Sequence, residues 1–452
     1  MIRIANGQGF WGDSQDAPVR LVREGPLDYL TLDYLAEVTM SIMQKLKRRS
    51  PKGEAGYATD FVELIRRILP DLREKEIRVV ANAGGVNPGS CLRAVMRVAG
   101  EAGAGGLKVG MVGGDDILDR LDAIMAEGVT LANMDDQRPL SEIRDRVLAA
   151  NVYMSSFPIA EALDMGAQIV LTGRSTDPGL VVGPMIHAFD WRPEDRDRLA
   201  SATVAGHIVE CGAQCTGGNF TRWWEVEGWD HIGYPVVEAE SDGSFVVTKH
   251  EGTGGLVTVD TVAEQLVYEM GNPACYITPD VVADFTTVRL SQEGKDRVAV
   301  SGVRGKAATD TYKVSISYLA GYSAVGQLTV AGPQALEKAR VAGEALWGRL
   351  RRAGCTFEET HTEFVGAGAC HPGIAPASHP VEVVLRVGVK DQDKSKVERF
   401  AREIAPLVTS GPPGITGFAG GRPRATEVIA FWPALIPKAM VRADVRVEEV
   451  PR

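Results

Sequence analysis

The segment His207-Ile208-Val209-Glu210-Cys211-Gly212-Ala213-Gln214-Cys215-Thr216-Gly217-Gly218-Asn219-Phe220 holds the densest set of chemically capable side chains in this sequence. His207 and Glu210 form a candidate acid–base pair, because proton-transfer chemistry needs one group that gives and one that takes. Asn219 adds an amide that can donate to a developing enolate. Cys211 and Cys215 are candidates as nucleophile or metal ligand, but a C-x-x-x-C spacing with no second pair nearby does not describe a structural zinc site. An iron–sulfur cluster would have to recruit Cys91 as well, and a lone buried Cys more often serves as a small hydrophobe.

A second candidate group is Gly173-Arg174-Ser175-Thr176-Asp177. Arg174 can grip a carboxylate through two parallel bonds, and Asp177 can act as general acid or base if burial raises its proton affinity. The alternative is that Asp177 caps the following helix and pairs with Arg174. A third group is the loop Asn82-Ala83-Gly84-Gly85-Val86-Asn87-Pro88-Gly89-Ser90. Its Gly84 and Gly85 allow close backbone approach to a ligand, and Asn82, Asn87 and Ser90 surround a helix start that attracts anions. The alternative makes Asn82, Asn87 and Ser90 turn and helix caps.

Neither this loop nor Gly113-Gly114-Asp115-Asp116 matches the dinucleotide or P-loop pattern, so no nucleotide or nicotinamide cofactor is expected. Asp115 is a further candidate substrate contact. Together with Asp116 and a histidine it also defines a weaker alternative, metal-assisted hydrolysis, although no metal site is expected. The early loop Asn6-Gly7-Gln8-Gly9-Phe10-Trp11-Gly12-Asp13 can close over a ligand with Asp13 and Trp11 inward, or form a tight turn with Trp11 on the core.

The elements that carry these groups read as strand–helix repeats. Short apolar strands are expected at 2–5, 77–81, 108–112 and 168–171. Helical periodicity is expected at 36–48, 57–68, 91–102, 117–125, 141–150, 159–165 and 178–189. Strands alternating with helices predict an α/β fold, a mainly parallel sheet with helices on both faces. Such sheets place ligands beyond the carboxyl ends of their strands. Residues 205–260, rich in Gly and aromatics with one strand at 244–249, read as an insertion or irregular cap over the sheet edge. A helix at 261–270 follows. Strands at 311–317 and 324–330, a helix at 333–353, a strand at 381–389, a helix at 394–405 and a strand at 439–447 predict two-layer α+β packing of the ferredoxin-like kind. The stretches 410–414 and 417–423 are too rich in Gly and Pro for regular structure.

The 452 residues are 44% hydrophobic and 24% charged, ordinary for soluble globular domains. A formal charge of −10, from 49 basic and 59 acidic residues, argues against nucleic acid as a partner. Six cysteines are too few for a disulfide scaffold. The opening residues lack the apolar core of a signal peptide, and no stretch approaches the roughly 20 apolar residues of a membrane span. A cytoplasmic location, no membrane association and a homo-oligomer are expected.

The motifs Gly7-Gln8-Gly9-Phe10-Trp11-Gly12-Asp13, Asn82-Ala83-Gly84-Gly85-Val86-Asn87-Pro88, Gly114-Asp115-Asp116, Gly173-Arg174-Ser175-Thr176-Asp177, Glu210 to Phe220 and Tyr276 to Asp284 resemble the acyclic terpene utilisation (AtuA-type) family. The resemblance spans nearly the whole chain. It implies a large N-terminal domain over 1–350 and a smaller ferredoxin-like domain over 351–452. It also implies a setting of branched acyl-CoA or dicarboxylate catabolism. It assigns no catalytic residue, and Cys215 stands where an apolar residue would be expected. The expectation from residues and resemblance together is a lyase, hydratase or proton-transfer isomerase acting on a small unsaturated carboxylic acid or its CoA thioester. CoA would enter only as part of the substrate. The competing expectation is a ligand-binding or scaffold subunit completed by a small partner protein.

Overall fold

The computed structural model describes residues 1–373, 379–417 and 421–452. Residues 418–420 of the expected Gly/Pro-rich stretch 417–423 therefore lie outside the described residues. Contacts divide the chain into two units, one formed by residues 1–317 and 431–452, the other by 318–430. Residues 318–350, expected in the larger domain, thus fall in the smaller unit, and the end of the chain falls in the larger one.

The larger unit is built on a ten-stranded sheet. Its centre is parallel, in the order Ile2–Asn6, Tyr29–Leu32, Arg78–Ala81, Ile169–Thr172, Lys108–Gly113. Beyond Ile2–Asn6 come four antiparallel strands, Pro235–Ala239, Phe245–Lys249, Arg297–Ser301 and Arg289–Gly294. Beyond Lys108–Gly113 comes Asp444–Glu449, also antiparallel. The sheet is therefore mixed, and the expected mainly parallel sheet is corrected to a parallel centre with antiparallel flanks. The missed signal lies in 205–260: Pro235–Ala239 and Phe245–Lys249 do not cap the sheet edge but extend it.

Successive residues of a strand face opposite sides, and the core follows that rule. Leu30, Leu32, Val79, Ala81, Ile169 and Leu171 belong to one buried cluster. Ile4, Tyr29, Val80, Val112 and Val170 belong to the cluster on the other face. The helix Thr59–Glu74 presents Phe61, Ile65, Ile68 and Leu69 to the first, while Gly179–Phe189 and Arg196–Val209 fill the second. One expected helix, 141–150, proves to be two short 3-10 turns followed by the strand Val147–Val152. Its branched and small residues fit a buried strand as well as a helix, and burial decides.

In the smaller unit the order is strand, helix Ala335–Arg352, strands Glu359–Val365 and Glu382–Asp391, helix Lys394–Ile404, strand. This is the β-α-β-β-α-β order of ferredoxin-like domains. The expected pair of strands at 311–317 and 324–330 is one continuous strand, Thr311–Ala331, whose later part belongs to this unit. Ala339, Ala342, Leu346, Leu385, Val387 and Phe400 fill its core.

Candidate active site

Where the parallel strands end, the larger unit opens a cavity of about 440 Å³. Three of the strand ends supply its wall: Gly9, Phe10 and Asp13 follow Ile2–Asn6; Asp33, Leu35 and Ala36 follow Tyr29–Leu32; Asp177 follows Ile169–Thr172. Glu210, Cys211, Ala213, Gln214, Gly218 and Asn219, just beyond helix Arg196–Val209, close another side, with Tyr234, Tyr268 and Glu269 completing it. Ligands of open α/β sheets bind at this edge. The wall carries five carboxyl groups (Asp13, Asp33, Asp177, Glu210 and Glu269) and no Lys, Arg or His.

Glu210 is held from behind. The buried Asn6 amide donates to the Val209 carbonyl at 2.6 Å and to the Glu210 carbonyl at 2.9 Å. His207 lies one helical turn back, with Nδ1 3.4 Å from Glu210 Oε1. That is an ion-pair separation, longer than an ordinary N–H···O bond. The imidazole sits 2% exposed between the rings of Tyr276 and Phe285, and Glu210 Oε2 has no protein partner. Burial pushes Glu210 up to about 7; His207 opposes this shift, and Asp177 and Glu269 reinforce it. Burial works to lower His207, but the Glu210 carboxyl and neighbouring backbone groups outweigh it and leave the imidazole above its usual value. Glu210 is thus a cavity-lining carboxyl that titrates near neutrality. His207 does not line the cavity; of the expected pair only the Glu210 carboxyl reaches it, with the imidazole behind.

The loop 6–13 is pinned across this segment. Asp13 accepts bonds from Gly9 N at 2.9 Å and from the Tyr234 hydroxyl at 2.6 Å. A Cβ on Gly9 would stand 2.7 Å from the Cys211 carbonyl carbon and the Gly212 nitrogen, so only glycine lets the two backbones meet. Asp13 faces the cavity as the sequence allowed. Trp11 instead packs on the core and donates to Asp60 at 2.9 Å.

Arg174 is corrected outright. Its guanidinium is 2% exposed and does not line the cavity. Nη1 bonds Asp177 at 2.6 Å and the Leu35 carbonyl at 3.0 Å, and the group stacks 4.4 Å from the Tyr153 ring centre. It supports the cavity wall from inside the protein, out of reach of a substrate carboxylate in the cavity. Asp177 does reach the cavity, tethered to Arg174; its side chain makes no cap bond to the next helix.

Loop 82–90 follows its structural alternative. The two turns do meet, since Gly84 N bonds the Thr172 carbonyl at 3.0 Å, and a Cβ on Gly84 would lie 2.5 Å from that oxygen. Yet the amides of Gly84, Gly85, Val86 and Asn87 are all spent on backbone carbonyls, so the expected anion cradle is absent from this loop. Asn87 caps helix Pro88–Glu101 and donates to the Gly53 and Ala55 carbonyls; Ser90 accepts from Arg93. Asn82 does not touch the cavity but bonds Asp33.

Asp115 also serves the frame. Its Oδ2 accepts from Arg174 N and from Asn151, both at 2.8 Å, and burial pushes it up to about 6. Asp116 accepts from Leu118 N. Among the described residues, no group of three or more His, Cys, Asp or Glu is placed to hold a metal ion. Cys91 and Cys215 lie in the two different cores, which separates the would-be cluster ligands. Cys211 lines the cavity, but burial and the Glu210 charge push its thiol up to about 12, unsuited to a thiolate nucleophile. Of the substrate contacts expected from sequence, Asn219 alone lines the cavity, at φ 58°.

With the geometry in place, comparison with known families is decisive on one point. Residues 2–447 match the family described as acyclic terpene utilisation family protein AtuA. The chain belongs to this family. Membership connects it to acyclic terpene utilisation, a catabolic pathway. No curated protein and no solved structure matched the chain. Within the described residues, no helix is long and apolar enough to cross a membrane.

The sequence reading missed Asp33, Tyr268 and Glu269. Asp33 carried a usable signal, since it is the first residue after the apolar run Tyr29–Leu32. Tyr268 and Glu269 carried none.

Proposed function

We propose that the chain is a proton-transfer enzyme of this catabolism, a hydro-lyase or isomerase acting on a small α,β-unsaturated acyl group, with Glu210 moving the proton. The supporting observation is the cavity-facing Glu210 carboxyl, pushed up to about 7 with the buried His207 behind it. A carboxyl balanced near neutrality takes a proton from water or carbon and returns it without a large penalty in either direction.

The wall also bears on the form of the substrate. Five carboxyls with no cation among the lining residues disfavour a free carboxylate, and the Arg174 guanidinium is bound to Asp177 and Leu35. A thioester presents the same unsaturated acyl group without charge. Of the two forms, the CoA thioester is therefore the one proposed, its phosphates remaining outside the acidic wall. In this reading Asn219, which lines the cavity, donates to the thioester oxygen as enolate charge develops.

The test is a panel of α,β-unsaturated acids and their CoA thioesters, followed by NMR in deuterated water. Wild-type protein should hydrate the thioester or exchange deuterium into it, and Glu210→Gln should lose on the order of a hundredfold or more in rate. Equal turnover by Glu210→Gln, or turnover of free acids in preference to thioesters, would overturn the proposal.

A further inference from the structure

We infer that Asp33 is the proton donor that complements Glu210, and that Asn82 is its positioning residue; this rests on the proton-transfer reading above. Asp33 is 5% exposed and lines the same cavity as Glu210. Its backbone N–H is fixed to the Gln8 carbonyl at 2.9 Å. Oδ1 accepts two bonds, from Leu35 N at 3.0 Å and from Asn82 Nδ2 at 2.7 Å. The Asn82 amide cannot turn over, because its own oxygen accepts from Tyr34 N at 2.7 Å. With Oδ1 committed as acceptor, a proton on this carboxyl belongs on Oδ2. Oδ2 takes no protein hydrogen bond among those described.

The surroundings favour the neutral acid. Burial, and then the Asp177 carboxylate, push Asp33 well above the ordinary carboxylate range; Arg174, Asn82 and the Leu35 amide oppose them without prevailing. A carboxylic acid kept neutral by its site is the form that can donate. In hydration, Glu210 takes one proton from water as the oxygen bonds the β-carbon. Asp33 gives one proton to the α-carbon, accepting the charge that leaves the enolate. In isomerisation Glu210 takes the γ-proton and Asp33 supplies the α-proton. Either way Glu210 ends protonated and Asp33 ionised, and one proton passed back through water resets both.

The test is infrared titration of the whole chain, wild type against Asp33→Asn, since Glu210 and Asp115, raised to about 7 and about 6, carry their own bands in both proteins. Wild type should show a protonated-carboxyl component that persists above the ordinary carboxylate range and that Asp33→Asn lacks. In Asn82→Ala the band should persist to higher pH than in wild type, because a donor that stabilises the carboxylate is gone. A mere loosening of the site would admit water and move the titration the other way. On the thioester panel, Asp33→Asn should lower kcat about a hundredfold with KM little changed. If the Asp33→Asn spectrum keeps the band, or kcat is unchanged, the inference fails while the Glu210 reading stands. Failure of Glu210→Gln to slow turnover overturns that reading instead, with the infrared result intact.

Discussion

Replacing Glu210 by Gln should change how stability depends on pH, by an amount the site sets. In the unfolded chain this carboxyl ionises near 4.5, and in the folded one near 7. At 1.36 kcal/mol per pH unit, the difference corresponds to about 3 kcal/mol. The sign follows from the direction of the shift. A raised acid favours folding fully below 4.5, and that advantage is lost as pH rises towards 7. The neutral Gln loses nothing over the same window. Stability of Glu210→Gln minus wild type should therefore grow by about 3 kcal/mol from pH 4.5 to 7 and then level off. Asp33 and Asp115 titrate in both proteins and cancel in the difference. Urea unfolding at several pH values, with the variant and wild type side by side, gives the quantity directly. Parallel curves would mean that Glu210 ionises as an ordinary surface carboxyl, and the proton-carrier reading would lose its physical basis.

Three further outcomes follow from the same geometry. Arg174→Met should lower stability by about 3 kcal/mol, seen in thermal unfolding, since it strips donors from Asp177 and the Leu35 carbonyl inside the wall; an unchanged melting temperature would show the guanidinium to be dispensable. Asn87→Ala should cost about 1–2 kcal/mol through the lost cap while leaving thioester turnover intact, and loss of turnover at unchanged stability would return loop 82–90 to the active site. Iodoacetamide at neutral pH should label the exposed Cys275 and Cys370 at least about a hundredfold faster than Cys211; peptide mass spectrometry showing Cys211 labelled first would contradict its raised thiol.

Much of the frame was legible in the sequence because the parallel centre is written in contiguous apolar runs. The runs before Asn82, Gly113 and Gly173 are strands, and the cavity lies beyond parallel strand ends as the rule anticipates, although of these three only the run before Gly173 leads to a lining residue, Asp177. Glu210, Asp177 and Asn219 were found because they sit in dense polar stretches. Arg174 was misjudged for the same reason: composition shows that a guanidinium is available, whereas its use depends on Leu35 and Tyr153, far away in sequence. Asn82, Asn87 and Ser90 were chosen for hydrogen-bonding ability, and that ability is spent inside the protein. The antiparallel flank escaped notice because Gly and aromatic residues around 205–260 mask two short strands.

The strand Asp444–Glu449 joins the sheet beside Lys108–Gly113, although the whole of the smaller unit intervenes in the chain. While the polypeptide emerges from the ribosome, the outer rim of Lys108–Gly113 must wait, its amides and carbonyls bare, until residues 444–449 have been synthesised. An open rim of this sort is a template for the wrong neighbour. The fold therefore ties the closing of that rim to synthesis of residues 444–449, and a message cut short after the smaller unit would yield a product prone to clump rather than one merely less stable.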